Sequence, residues 1–180
     1  TSTGGSSSTV TGLVQARALR LLVNASSAEA LRKSLIPHHA PEAVARLLRA
    51  EVAAAEASGW KKGGNEEAVE AVLGLLVNLG LEPTARAVFA APDSHVLASL
   101  ETVLRRCAWP ASYARAAGAA ARVLQENSAA TQAVEQGLLL QLAQRVAQAE
   151  QGVGGAEAAD TAVRGLAVCL KAGGQQAVAA

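Results

Sequence analysis

Apolar residues in this sequence recur at intervals of three and four positions, and short breakers divide the recurrence into segments. One clear segment lies between a Pro-Asp pair and a Trp-Pro pair and contains Val96, Leu97, Leu100, Val103 and Leu104. Such spacing places the apolar side chains on one face of an α-helix. Only 2% of the residues are aromatic, which is too few for the strands of a β-sandwich or barrel. The sequence therefore predicts an all-α fold.

The helical segments repeat in one order: a short helix, a tight turn, a second helix, a loop and a third helix. We predict units at about residues 11–25 (a partial unit), 26–80, 81–127 and 128–180, preceded by a flexible Gly/Ser/Thr linker at residues 1–10. A glycine-rich loop at residues 58–64 lengthens the second unit, and we expect Trp60 to be exposed in it. We expect the alanine-rich stretch at residues 114–121 to occupy a closely packed position, because small side chains let helices approach. None of these helices can bury its apolar face alone, so the units must stack.

Three-helix units of this length, with two short motifs, resemble the armadillo repeat family. Residues 133–142 (AVEQGLLLQL) resemble the armadillo turn between the first and second helices. The Leu-Leu-Val-Asn at residues 75–78, repeated at residues 21–24, resembles the end of the armadillo third helix. The resemblance covers nearly all of residues 11–180 and implies a superhelical α-solenoid of about three repeats, with a HEAT-like or irregular α-solenoid as the alternative. A narrower resemblance is to the armadillo regions of tetratricopeptide-armadillo co-chaperones, including dynein assembly factors.

The armadillo resemblance also implies a concave groove in which asparagines of the third helices bind the main chain of an extended peptide. An amide side chain both donates and accepts hydrogen bonds, so it can hold a main chain without reading its sequence. By this resemblance Asn24 and Asn78 occupy groove positions, and Gln125 ends a degenerate copy of the same motif. The alternative is that Asn24 and Asn78 merely end their helices.

Arginines on the predicted third helices, among them Arg20 and Arg122, give the implied groove a preference for protein partners with acidic segments. Nuclear-import receptors of the armadillo family carry tryptophans one turn before the groove asparagines. The corresponding positions here are Arg20 and Gly74, which argues against binding of import signals.

No constellation in the sequence predicts catalysis, a metal or a cofactor. His38 and His39 lie in a predicted turn, and His95 lies near the start of a helix. No Cys-x-x-Cys, His-Glu-x-x-His or phosphate-binding loop occurs. Cys107 and Cys169 are expected to be buried and reduced, which favours a reducing, cytoplasmic compartment. We therefore expect no enzymatic activity and no cofactor.

Charge and hydropathy exclude two further classes of partner. The formal net charge is +1, and no basic stripe or set of stacking aromatics predicts nucleic-acid binding. The longest mostly apolar stretch, residues 71–81, is shorter than a bilayer span, so we expect no membrane association. The absence of methionine, including at position 1, leads us to expect a piece of a longer chain.

Together these expectations favour a non-catalytic scaffold for protein–protein interaction in the cytoplasm, within a longer chain or assembly. An association with the cytoskeleton or a cilium is what the narrower co-chaperone resemblance implies. The alternative is a structural brace inside a large assembly, such as a cytoskeletal or axonemal complex.

Overall fold

The computed structural model describes residues 6–61, 65–107, 109–135 and 137–150, with isolated helical positions at 160, 163 and 167. Every regular element in these ranges is a helix, which confirms the all-α prediction. The helices are α1 (Ser6–Ser27), α2 (Glu29–Leu35), α3 (Ala40–Ala57), α4 (Glu66–Leu79), α5 (Pro83–Ala90), α6 (Val96–Arg106), α7 (Pro110–Val123), α8 (Asn127–Glu135) and α9 (Leu138–Glu150). Short 3₁₀ turns at Ile36–His38 and Pro92–Ser94 precede α3 and α6.

Helix starts follow from proline and from one recurring turn. Pro41, Pro83 and Pro110 lie in the first turns of α3, α5 and α7, where the missing N–H of proline has no intrahelical partner to lose. The residue immediately before α3, α6 and α9 has a positive φ in each case: 57° at His39, 57° at His95 and 73° at Gly137. The left-handed conformation therefore recurs at an equivalent position, immediately before α3, α6 and α9. Of the three residues, only Gly137 adopts it without a steric penalty.

Helix α1 begins at Ser6, so residues 6–10 are helical, although the sequence predicted them as linker. Serine and threonine are only mildly poorer helix formers than alanine, so their presence does not end a helix by itself. Most of the third helix of the last predicted unit, at residues 156–172, lies outside the described residues.

Helices that lie three places apart in chain order pack against each other. Helix α4 packs between α1 and α7, and α6 packs between α3 and α9. The pairs α3–α4 and α6–α7 join these two layers, and the short helix α5 contacts α3, α6 and α7. Among the described residues the interior is made mainly of leucine, valine and alanine, and Phe89 of α5 is the largest fully buried side chain.

The alanine-rich helix α7 occupies a closely packed position, as its composition predicted. Ala116, Ala117, Ala119 and Ala120 are completely buried. Close approach extends to neighbouring α4, where a Cβ atom added at Gly74 would lie 2.6 Å from Nη1 of Arg115. Small residues therefore let α4 and α7 come together where larger ones would collide.

The two tryptophans of the chain contact each other across the loops that follow α3 and α6. Their ring centroids are 5.4 Å apart in an edge-to-face arrangement, a favourable geometry for aromatic pairs. Trp109 is buried and Trp60 is half-buried. The expectation of an exposed Trp60 is therefore wrong, because the loop folds back onto the neighbouring loop.

Two arginines tie successive parts of the chain together by the same set of contacts. Arg32 of α2 donates from Nη1 to the carbonyls of Ser26 and Ser27, 3.3 Å away in both cases, and from Nε to Oε1 of Glu82 at 2.8 Å. Its guanidinium thus covers the carbonyl end of α1 and reaches the residue that precedes α5.

Arg86 of α5 repeats this arrangement one step along the chain. Its Nη1 donates to the carbonyls of Gly80 and Leu81 at 3.2 Å, and its Nε donates to Glu126 at 3.0 Å. Glu126 stands just before α8, as Glu82 stands just before α5. We call these two sets of contacts the arginine ladder.

We predict that Ala120→Leu in α7 lowers the free energy of unfolding by about 1–3 kcal/mol, because the larger side chain overpacks a completely buried position. Ala117→Leu should have a similar effect. Urea denaturation followed by circular dichroism measures both losses. Ala111→Leu, at an exposed position of the same helix, is the matched control and should be close to neutral. Wild-type stability in both buried variants would contradict the tight packing.

We also predict that Arg32→Ala destabilises the protein by about 2 kcal/mol, because it removes charge-assisted hydrogen bonds and leaves Glu82 without its cation. The Arg32 and Glu82 side chains are only 9% and 14% exposed. Lys33→Ala is the control: Lys33 pairs with Glu29 one turn away, both side chains are more than half exposed, and such pairs contribute little to stability. Equal losses in the two variants, measured by urea denaturation, would show that the ladder contributes no more than a surface pair.

Candidate functional site

A shallow depression of about 240 Å³ lies where α1, α4 and α7 come together. Its lining residues come from all three helices: Arg20, Val23, Asn24, Glu70, Ala71 and Arg115. We call the surface around it the α1–α4–α7 face. Two of the residues expected from the sequence to bind a peptide, Arg20 and Asn24, thus lie together, and both are exposed.

The electrostatics of the depression are mixed. Arg115 Nη2 lies 3.2 Å from Oε1 of Glu70, and Arg20 Nη2 lies 4.0 Å from Oε1 of Glu67. Both arginines are therefore partly neutralised by carboxylates of α4. The face therefore presents acidic and basic groups side by side.

The side chain of Asn78 makes a contact between α4 and α1. Its Nδ2 donates to the carbonyl of Val23 at 2.9 Å and to Oγ of Ser26 at 3.0 Å, and Ser26 Oγ in turn donates to the same carbonyl. These bonds fix the last turn of α4 to the last turn of α1. Because both amide hydrogens are used within the protein, this geometry favours the alternative that Asn78 ends a helix over direct binding of a peptide main chain.

Asn24 is placed differently, although it ends the same Leu-Leu-Val-Asn motif. Its side chain is exposed on the rim of the depression. Among the described residues, no hydrogen bond involves its side-chain amide, and only its backbone carbonyl accepts a bond, from Oγ of Ser27. Asn24 therefore has donors and an acceptor to offer to another molecule.

Arg122 and Gln125 are not equivalent. Glu82 and Glu126 occupy equivalent places, just before α5 and α8. When the ends of α4 and α7 are aligned through these two residues, Arg122 and not Gln125 corresponds to Asn78. Arg122 is half-buried and packs close to Gly80. Gln125 lies beyond the end of α7, with an exposed side chain and a backbone N–H bonded to the Arg122 carbonyl. The resemblance misplaced Gln125 by three residues because α7 ends in a degenerate sequence.

A second depression, of about 380 Å³, was not expected from the sequence. It lies between α3 and the segment formed by α5 and the 3₁₀ turn after it, with Arg46, Arg49, Glu42, Asp93, Val88 and Ser94 among its lining residues. A hydrogen bond from its own backbone N–H lowers the pKa of Glu42, and His39 lowers it further. Two carboxylates thus offset the two arginines. The only sequence signal was the spacing of Arg46 and Arg49 on one side of α3.

In the part of the chain that is described, no three His, Cys, Asp or Glu residues come close enough to share a metal ion. His38, His39 and His95 are exposed at the turns before α3 and α6. Among the described helices, none has the length and hydropathy that crossing a bilayer requires.

Comparisons with known proteins returned no match: no family model, no curated protein and no solved structure resembles this chain significantly.

We predict that Asn78→Ala lowers the free energy of unfolding by about 1–3 kcal/mol, because the Val23 carbonyl and Ser26 hydroxyl lose their donor in a partly buried contact. Asn24→Ala, at the exposed counterpart, should change stability by no more than about 0.5 kcal/mol. Chemical denaturation of the two variants side by side measures the difference. If Asn78→Ala is as mild as Asn24→Ala, the bonds between α1 and α4 do not hold the helix ends together.

Proposed function

We propose that this chain is an armadillo-like α-solenoid that acts as a non-catalytic scaffold and binds an extended segment of a partner protein across the α1–α4–α7 face. The observation that carries the proposal is the depression in which Arg20, Asn24, Glu70 and Arg115 converge from three stacked helices. A stack of packed helices presents such a surface without a conformational change, which suits a binding function.

Several features support the armadillo-like arrangement. Equivalent helices pack three places apart, the left-handed turn recurs before α3, α6 and α9, and the arginine ladder repeats the same bonds. Each repeat of this pattern comprises three helices, whereas the HEAT alternative has two. The repetition of side-chain contacts is the stronger support, because it does not depend on the loose sequence motifs.

The partner segment can be described by the chemistry that faces it. Asn24 can donate to and accept from its main chain, Arg20 and Arg115 can bind its acidic side chains, and Glu70 can bind a basic one. Because the cations are already paired with Glu67 and Glu70, a partner must exchange ion pairs rather than neutralise free charge. We therefore propose a partner of mixed charge.

We expect 12-residue peptides selected from a displayed random library on the intact chain to lose about tenfold in affinity with Arg20→Glu plus Asn24→Ala, a loss that corresponds to about 1.4 kcal/mol. Fluorescence anisotropy measures the dissociation constants. Arg49→Glu on α3, which lines the other depression, is the control and should bind as the wild type does. Peptides that bind the double variant undiminished would place the binding site elsewhere. A library without binders would instead favour the structural brace.

A further inference from the structure

Arg46 and Arg49 stand one turn apart on α3 with their hydrogen-bond donors available. They line the depression of about 380 Å³ between α3 and α5, and both side chains are exposed. Within the described ranges neither guanidinium forms an ion pair or a hydrogen bond with another residue, whereas arginines of α2, α5 and α7 pair with carboxylates. Like charges one turn apart on a helix repel each other, so this placement does not itself stabilise α3.

A comparison with α6 shows what the depression lacks. The left-handed residues that precede α3 and α6 have the same φ, 57°, and alignment at these residues places Arg105 of α6 at the position of Arg49. Nε of Arg105 donates to Glu101, one turn earlier, at 2.8 Å. The position of Glu101 is occupied in α3 by Ala45, whose small side chain lines the depression. An alanine thus replaces the carboxylate, which leaves Arg49 without a partner on its own helix.

The two carboxylates that line the depression do not take the place of that glutamate. Oε1 of Glu42 lies 3.4 Å from Nδ1 of His39. Among the causes that lower the pKa of Glu42, its own backbone N–H is the largest, His39 follows, and Arg46 contributes least. Asp93 lies on the α5 side of the depression and forms no ion pair with a described residue. These carboxylates offset the net charge of the arginines without binding either guanidinium.

Two guanidiniums one turn apart suit one anion with several oxygens. A single arginine already binds both oxygens of a carboxylate. A phosphate monoester offers three acceptor oxygens and carries nearly two negative charges, so a second arginine adds to its binding. The side chains of Ala45, Val88 and Ala91 give the depression an apolar wall that the carbon atoms of a ligand can contact. Its volume lies near the lower end of the range of ligand pockets, about 300–1,000 Å³, which limits the contact to a short segment.

We propose that the depression between α3 and α5 binds a phosphorylated serine in a segment of a partner protein, with the phosphoryl group held by Arg46 and Arg49. A basic side chain next to the phosphoserine binds Asp93. The same aspartate repels a continuous polyanion such as a nucleic acid. Free phosphate would bind the arginines but would leave both Asp93 and the apolar wall without contacts. This site is separate from the α1–α4–α7 face and does not depend on it.

The test uses the intact chain and 12-residue peptides selected on it from a library with phosphoserine at a fixed central position. The selected peptide carries fluorescein and is made in phosphorylated and unphosphorylated forms. We expect fluorescence anisotropy to show about tenfold tighter binding of the phosphorylated form, and Arg46→Ala plus Arg49→Ala to remove this difference. Arg105→Ala plus Arg106→Ala on α6 is the matched control. It removes the same charge from two exposed arginines and should leave the affinity unchanged.

A second variant tests the site with both arginines in place. Ala45→Glu gives α3 the glutamate that α6 has, so the new carboxylate should pair with Arg49 and weaken binding of the phosphorylated peptide about tenfold. Circular dichroism checks that each variant keeps the wild-type thermal transition. Because Ala45 is buried and the two arginines are exposed, the arginine variant decides the outcome if Ala45→Glu unfolds the protein.

Five outcomes would overturn the proposal. A library without a phosphate-dependent binder and equal affinities of the two peptide forms are the first two. Equal losses in the two double arginine variants would show a general attraction by charge. A loss caused by Arg20→Glu plus Asn24→Ala would place the phosphorylated peptide on the α1–α4–α7 face. Sodium phosphate alone that binds as tightly as the peptide in isothermal titration calorimetry would make the free anion the occupant.

Discussion

The burial of most of α4 by three neighbouring helices is the constraint on which the rest of the structure depends. Helix α1 covers one side, α7 another and α3 a third, and the fully buried side chains include Val69, Val72, Leu73, Leu76 and Leu79. A helix of 14 residues is marginal in water, so its stability comes from this burial. Removing any of these neighbours would expose aliphatic side chains of α4 to water, and a helix of this length is not stable without their burial.

Tight burial also gives the many alanine residues a structural role. Helices approach closely only if one of them carries small side chains at the contact, and α7 supplies them in Ala116, Ala117, Ala119 and Ala120. The same logic keeps Gly74 free of a side chain, because Val23 of α1 and Arg115 of α7 both approach the place that a Cβ atom would occupy. Small residues thus bring the polar groups of three helices within reach of one another on the α1–α4–α7 face, and the candidate site follows from the packing.

The sequence predicted well what depends on local spacing. Residues 66–79 and 83–90 are helical as expected, because three- and four-residue periodicity and an initial proline act within single turns. It did not predict the contacts of Arg32 and Glu82, which lie 50 positions apart. Such a pair depends on how successive helices are angled, which local patterns do not encode. Gln125 was misplaced for a related reason, since only the true end of α7 shows that Arg122 aligns with Asn78.

The arginine ladder has a consequence for how force and heat act on the molecule. Each guanidinium bonds the end of one helix and the carboxylate that opens the next short helix, so neither junction can loosen without releasing charged groups at both. Linear stacks of helices otherwise tend to fray from their ends, one element after another. With these clasps, we expect the helices from α2 to α8 to separate from one another less readily than helices joined by apolar contacts alone.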